Sequence, residues 1–182
     1  MLRIISGKYR RLQILQPRKE NTRATKDSIR EAIFNTLRFD IEGKIVLDLF
    51  AGSGAMGIEA ISNGCAKALL VDNDSECFKV ISDNLNNLKI NNVQIFKDDA
   101  IQWLRNMGGR VFDFIFIDPP YHKYNLVNEA LNLIVELKYL EKFGTIILET
   151  DDITQIVIPR ELIISKTKQY GKTTIVYITN VV

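Results

Sequence analysis

Short apolar runs recur at regular intervals after residue 44. Ile45-Val46-Leu47-Asp48-Leu49, Ala68-Leu69-Leu70-Val71-Asp72, Val93-Gln94-Ile95-Phe96, residues 111–117 and Gly144-Thr145-Ile146-Ile147-Leu148-Glu149 each read as a buried strand. Between them, apolar positions follow helical spacing over 55–63, through Phe78, Ile81 and Leu85, over 101–107 and over 127–137. This alternation predicts an α/β fold with a parallel sheet covered on both faces. Two last runs, 161–166 and 173–178, flank Gln169-Tyr170-Gly171-Lys172 and read as an antiparallel C-terminal hairpin. Ahead of the sheet, Arg3-Ile4-Ile5-Ser6-Gly7 and Arg11-Leu12-Gln13-Ile14-Leu15 predict a short β-hairpin with Lys8-Tyr9-Arg10 at its tip. A polar connector then leads to a helix capped by Thr25 or Asp27. Its apolar face holds Ile29, Ile33, Phe34 and Leu37, and its other face carries Lys26 and Arg30. Residues 1–182 thus read as a single domain, with a basic hairpin and helix at 1–38 and an α/β core at 44–182.

The chain has 182 residues, 46% of them hydrophobic and 25% charged, which is an ordinary globular balance. No apolar run approaches the roughly 20 residues that span a bilayer, and the N-terminal apolar stretch is too short for a signal peptide. Cys65 and Cys77 lack metal-binding or paired redox spacing, so both are expected to be reduced packing residues of a cytoplasmic protein. No metal site and no membrane partner are expected. The net charge of +2 hides an asymmetry: residues 1–38 hold ten Lys/Arg against three acids, +7, leaving −5 for the remainder. A basic arm on an acidic body suits a polyanionic partner gripped at one end. A plain solvated face is the competing reading.

Gly52, Gly54 and Gly57 fit G-x-G-x-x-G immediately after a strand and opening a helix. Glycines there allow a tight turn and let a cofactor approach the backbone. Asp72, 20 residues beyond Gly52, ends the second strand and can accept hydrogen bonds from ribose hydroxyls. A dinucleotide would satisfy the same pattern. Asp48 separates the two cases, because a carboxylate ahead of the glycine turn repels a pyrophosphate but favours the ammonium and sulfonium of S-adenosylmethionine. A strand-end turn or cap is its other reading. After the third strand, Asp99 is the favoured acceptor for an adenine amino group, because Asp98 could equally serve as a helix cap. Phe50, Ala51, Ser53, Asn73 and Ala100 flank these positions and complete the expected cofactor set.

Asp118-Pro119-Pro120-Tyr121 ends the fourth strand. The exocyclic amine of a nucleobase is a poor nucleophile, since its lone pair is delocalised into the ring. Acceptors that hold its N–H bonds can turn that lone pair toward a methyl donor. Asp118 offers a carboxylate and Pro119 a carbonyl, while two prolines stiffen the backbone. Tyr121 offers a face on which an extruded base can stack, worth about 1–3 kcal/mol. An isolated tetrapeptide of this kind can equally be a simple turn; its position downstream of a matching cofactor loop favours the chemical reading. His122, the only histidine, is adjacent and is not required by this chemistry.

With these motifs in order, the chain resembles the bacterial 16S ribosomal RNA guanine-N2 methyltransferases of the ribosomal small subunit methyltransferase D type. The resemblance includes the opening Arg3 to Leu12 segment, Thr22 to Asn35, Leu47 to Gly57, Asp118 to Tyr121, and Tyr170-Gly171. It implies a Rossmann-like S-adenosylmethionine-dependent methyltransferase sheet. It also implies methylation of one guanine in the small ribosomal subunit or its assembly intermediate, with S-adenosyl-L-methionine as cofactor. Carried over, Asp48, Gly52, Gly54, Asp72 and Asp99 would contact cofactor, and Asp118 to Tyr121 would hold the base. Lys8 at the hairpin tip, with Arg10, Arg11, Arg23, Lys26 and Arg30, would meet RNA or frame the pocket entrance. Ala24 and Asp72 depart from the family pattern, where proline and glutamate are common. DNA adenine-N6 or protein-glutamine methylation, nicotinamide-dependent oxidation, and a noncatalytic RNA-binding assembly factor are the competing functions.

Overall fold

The computed structural model describes residues 1–18 and 27–182 and carries the predicted strand–helix alternation over residues 45–150, with the antiparallel hairpin after it. Strand β1 (Leu2–Arg3) pairs antiparallel with β2 (Gln13–Ile14), and helix α1 (Asp27–Leu37) follows. The alternating part comprises β3 (Ile45–Asp48), α2 (Ala55–Ser62), β4 (Lys67–Asp72), α3 (Ser75–Leu88) and β5 (Val93–Lys97). It continues through α4 (Ala100–Asn106), β6 (Phe112–Ile117) and α5 (Tyr124–Glu136). Strands β7 (Leu140–Thr150), β8 (Leu162–Tyr170) and β9 (Thr173–Asn180) end the chain.

The larger sheet has the order β5-β4-β3-β6-β7-β9-β8. Strands β3 to β7 run parallel, whereas β9 is antiparallel to both β7 and β8. From β3 the chain steps outward through β4 to β5, then returns to β6 on the other side of β3. Strands β3 and β6 therefore flank the topological switch point, where connections diverge and leave a crevice beyond the carboxyl ends of the strands.

Near-continuous apolar strands demand cover on both faces. On one face, Ile33 and Phe34 of α1, Ile58 of α2 and Ile81 of α3 pack over Val46, Phe116, Ile175 and Tyr177. On the other, Trp103 and Leu104 of α4 with Leu131 and Ile134 of α5 cover Leu47, Ile115 and Leu148. Ile4 and Ile14 of the first hairpin belong to the first core, each 2% exposed, so that hairpin is fastened down rather than projecting. Gly57 allows the close approach of α2 to β4, since a Cβ there would lie 2.3 Å from Leu70 Cδ2.

Several boundaries differ from the sequence reading. Helix α5 begins at Tyr124 instead of 127, and β8 continues to Tyr170, which leaves only Gly171-Lys172 as the turn of the C-terminal hairpin. The first hairpin has two paired residues per strand instead of five. Strand β7 begins at Leu140, ahead of Gly144, because the pairing with β6 is irregular between Phe112 and Phe114. The irregularity admits exposed Glu141, Lys142 and Phe143, which break the alternation expected of a strand.

Candidate functional site at the switch point

Asp48 ends β3, the middle one of the five parallel strands, and is only 2% exposed. Burial raises its carboxyl from an ordinary 3.8 to about 7; a hydrogen bond from the Phe50 N–H opposes the rise and the Asp72 charge adds to it. The turn that follows needs left-handed backbone at Gly52 (φ 57°) and Gly54 (φ 83°), which glycine adopts at little cost. It is held by the Ala51 N–H to the Val71 carbonyl (3.0 Å) and the Gly54 N–H to the Ala51 carbonyl (2.8 Å). Ser53 Oγ accepts from the Ala55 N–H, and Asn84 reaches across from α3 to the Ser53 carbonyl at 3.0 Å.

Asp72 connects this turn to the end of β4. Its Oδ2 accepts from the Gly52 N–H at 2.9 Å and its Oδ1 from the Asp74 N–H at 3.0 Å, while burial raises its pKa. Asn73 is exposed beside it. Asp74 caps α3 by accepting from the Glu76 and Cys77 N–H groups. After β5 the helix cap falls on the second of the two carboxylates. Asp99, not Asp98, caps its helix, with Oδ1 accepting from Ile101 and Gln102 at 3.0 Å each. Asp98 Oδ1 instead accepts from the Asp99 N–H at 2.8 Å. The cause is register: α4 begins at Ala100, which puts Asp99 at the cap position. Cys65 and Cys77 are buried free thiols, both pushed up to about 12 chiefly by burial, which leaves them unreactive.

Across the switch point, β6 ends at Ile117 and Asp118 follows. Asp48 pairs with Phe116, so Asp118 starts one strand over and two residues beyond, a Cα separation of about 8 Å from strand geometry. The turn after it closes through the Pro120 carbonyl, which accepts from the Lys123 N–H at 3.3 Å. Tyr121 is 59% exposed, with the His122 ring edge-on at 4.3 Å. His122 has φ 58°, unusual for a residue with a side chain. Its Nδ1 lies 3.2 Å from Tyr124 Oη and 3.5 Å from Asp151 Oδ2, and Tyr124 donates to Asp151 at 2.6 Å. That hydrogen bond keeps the Tyr124 phenol protonated, with its pKa pushed up to about 12. The His122–Tyr124–Asp151 cluster therefore braces Tyr121, a role sequence reasoning passed over; its only signal was a histidine next to the tetrapeptide.

Asp48, Phe50, Ala51, Gly52, Ser53, Asp72, Asn73, Asp99, Ala100 and Asp118 to Tyr121 all line one groove of about 1150 Å³. Gly54 lies behind it, packed toward Ile81. The groove carries nine carboxylates (Asp48, Asp72, Asp74, Asp98, Asp99, Asp118, Glu129, Glu149 and Asp151) against Lys123 as its one Lys or Arg among the described residues. Such a lining suits a cationic ligand and opposes phosphate. Among the described residues, no cluster of three or more His, Cys, Asp or Glu is placed to hold a metal ion, and no helix is long and apolar enough to cross a membrane.

The basic residues are arranged otherwise than expected. Arg23 and Lys26 lie outside the described residues. The Lys8, Arg10 and Arg11 tip sits on the last turn of α2, where the Lys8 N–H donates to the Ser62 carbonyl at 2.7 Å. That is the opposite end of α2 from the glycine turn, so these residues do not frame the groove. Arg30, expected on an RNA-facing side, is 0% exposed. Its Nε donates to Glu59 at 3.3 Å and its Nη2 to Asp27 at 3.2 Å and to the Arg3 carbonyl. Glu59 is 1% exposed and also accepts from the Ile5 N–H and from Ser6 Oγ. A charge on that helix face is costly unless paired, so Arg30 closes a buried ion pair that fastens β1 and α1 to α2. An acid inside the apolar helix Ala-Met-Gly-Ile-Glu-Ala-Ile-Ser was the signal that such a partner exists.

Residues 2–179 match the family model described as conserved hypothetical protein 95. The chain is 36% identical over 165 residues to a Buchnera aphidicola protein named ribosomal RNA small subunit methyltransferase D, covering 91% of this chain and 86% of that one. The Escherichia coli protein of the same name is 33% identical over 150 residues, 82% of this chain and 75% of the other. Among solved structures, Escherichia coli YhhF, described as a candidate methyltransferase, superposes with a TM-score of 0.89 at 28% identity, covering 98% and 97% of the two chains.

Proposed function

Because the chain belongs to the conserved hypothetical protein 95 family, with the ribosomal RNA small subunit methyltransferases D among its relatives, we propose that this methyltransferase modifies the N2 amine of a guanine in 16S ribosomal RNA. S-adenosyl-L-methionine is the proposed methyl donor, and the bacterial cytoplasm the proposed compartment. The observation that carries the reading is the placement of Asp48 and Asp118 at the ends of adjacent parallel strands on either side of the switch point.

The donor supplies an electrophilic methyl group on a sulfonium, which departs as a thioether when an amine nitrogen attacks. The residues present fit it. Buried Asp48 is a carboxylate desolvated beyond what its backbone bond offsets, and an ammonium beside it supplies the missing compensation. Asp72, with one N–H bond on each oxygen, retains lone pairs for ribose hydroxyls. Asp99 spends Oδ1 on its helix, so Oδ2 is the atom for an adenine amino group. Phe50, Ala51, Gly52, Ser53, Asn73 and Ala100 shape the surrounding wall, with Gly54 giving the turn its conformation.

Asp118 and the Pro119 carbonyl accept the two N–H bonds of the target amine and turn its lone pair toward the methyl carbon. Pro120 stiffens that turn, and Tyr121 stacks on the extruded base. As nitrogen becomes cationic, Asp118 stabilises the charge until one N–H proton leaves; positioning and electrostatics carry the rate. Label from methyl-labelled S-adenosylmethionine should appear as N2-methylguanine in unmodified small subunits or naked rRNA. It should fall at least 100-fold for Asp118→Ala with donor affinity preserved. Label confined to DNA or protein, or unchanged turnover in the variant, would overturn the reading.

A further inference from the structure

The groove admits a nucleic acid although its own lining repels phosphate, so cations near its mouth have to come from elsewhere. Charge is distributed along the chain in three blocks. Residues 1–38 carry +7, residues 39–161 hold eleven Lys/Arg against nineteen acids, and residues 162–182 hold three lysines and no acid. Among the described residues, the first block places Lys8, Arg10 and Arg11 at the far end of α2 and leaves exposed Arg18, next to the groove-lining Pro17, as a single cation by the groove. The last block is the β8–β9 hairpin.

That hairpin lies on the groove side. Strand β9 runs antiparallel to β7, with Glu149 opposite Ile175 and Thr150 opposite Thr174, so the two-residue Gly171-Lys172 turn projects from the carboxyl end of the parallel strands. Ile175, Glu149 and Thr150 line the groove. Lys168 pairs with Ile175, which sets its backbone one strand spacing, about 5 Å, from the groove wall. Lys166, Lys168 and Lys172 are exposed. Lys166 Nζ stands 5.4 Å over the Tyr177 ring, and Tyr170 packs on the same core, so this basic row shares the sheet face of α1, the face from which Ile33 enters the groove.

Building on the RNA reading above, we infer that Lys166, Lys168 and Lys172, with Tyr170 beside them, form a second RNA-binding surface. It holds the phosphates of the strand that carries the target base as that strand enters the groove. Lysines on an edge strand also discourage pairing with other chains. That role is served by charge of either sign, whereas phosphate needs positive charge. The contrast sets the test.

Binding of the 182-residue chain to naked small-subunit rRNA is measured by filter retention across a salt series, for wild type, K166E/K168E/K172E and K166R/K168R/K172R. Three phosphate contacts contribute about 2–3 to the slope of log affinity against log salt. The glutamate variant should lose about that much slope and at least 10-fold in low-salt affinity. Its melting temperature and its calorimetric affinity for S-adenosylmethionine should stay at wild-type values, and the arginine variant should bind like wild type. A slope unchanged in the glutamate variant, while wild type methylates rRNA, overturns this inference and leaves the function standing. Loss of a wild-type dimer with unchanged slope makes the hairpin a self-association surface and also overturns it. A wild-type chain without salt-dependent RNA binding removes the function and this inference together.

Discussion

Replacing Asp48 by asparagine separates the charge of this side chain from its shape. Burial lifts the carboxyl from 3.8 to about 7, while the unfolded chain ionises near 3.8. Between those pH values the folded protein binds the extra proton. The stability contributed by this group is therefore fully present below pH 3.8 and is lost as pH rises through 7. At about 1.4 kcal/mol per pH unit, the loss approaches 4 kcal/mol by pH 8. Asp72, raised by burial in the same groove, acts in the same direction. Asparagine keeps an oxygen to accept from the Phe50 N–H and cannot ionise. Without ligand, Asp48→Asn should match wild type within about 1 kcal/mol at pH 4.5 and exceed it by about 2–4 kcal/mol at pH 8, a melting shift of roughly 5–10 °C in a chain of this size. A donor ammonium reverses the sign, because it favours the ionised form. Wild-type affinity for S-adenosylmethionine should climb from pH 6 to pH 8, with proton release measurable by calorimetry in buffers of different ionisation enthalpy. The variant should bind more weakly and without pH dependence. Parallel stability curves for the two proteins from pH 4.5 to 8.5, or donor binding at pH 6.5 with no proton released, would refute the reasoning.

Arg30→Met should cost about 3–5 kcal/mol in chemical denaturation, because it leaves Glu59 buried without its cation; a loss below about 1 kcal/mol would place Arg30 on the surface. His122→Ala removes the ring against Tyr121, an aromatic contact worth about 0.5–1.5 kcal/mol. It should raise KM for RNA several-fold and leave kcat near wild type, and steady-state kinetics showing a kcat defect alone would contradict the bracing role. NAD should give no calorimetric signal below millimolar concentration; submicromolar binding would mean that the groove accepts pyrophosphate after all.

Periodicity made the sheet legible, because buried parallel strands are continuous apolar runs and their helices repeat at 3.6 residues. Every strand of the larger sheet lies where such a run occurs, and the antiparallel end showed in the hairpin around Gly171. What escaped was decided by partners distant in sequence. Leu140 joins β7 only through an irregularity opposite Phe112, which no local pattern announces. Arg30 stands three residues from Asp27 and four from Phe34, so its helix position alone fits either solvent or core. Glu59, 29 residues away, decides for the core. The cap at Asp99 in place of Asp98 came from a one-residue uncertainty in a helix start. The groove residues were legible because chemistry, unlike packing, ties residue type to a strand end.

The acidity of the groove has a structural origin that also selects the ligand. Three helices, α2, α3 and α4, start at the crevice and point their unpaired N–H groups toward it. In a pyrophosphate site, N–H groups of this kind, at the glycine turn and the first helix end, meet the ligand. No carboxylate caps α2, but the protein's own carboxylates hold N–H groups all around its start: in the turn Asp48 takes the Phe50 N–H and Asp72 the Gly52 N–H, and at the neighbouring helices Asp74 takes those of Glu76 and Cys77 and Asp99 those of Ile101 and Gln102. A phosphate would have to displace these contacts and meet their negative charge at short range. A nucleoside bearing an ammonium and a sulfonium meets the same carboxylates as counter-charges and can leave the caps in place. The G-x-G-x-x-G spacing is therefore common to two ligand classes, and the acids around it distinguish them. The same acids account for a cation-poor groove in a protein whose relatives act on RNA, with grip on the polyanion left to the margins of the fold.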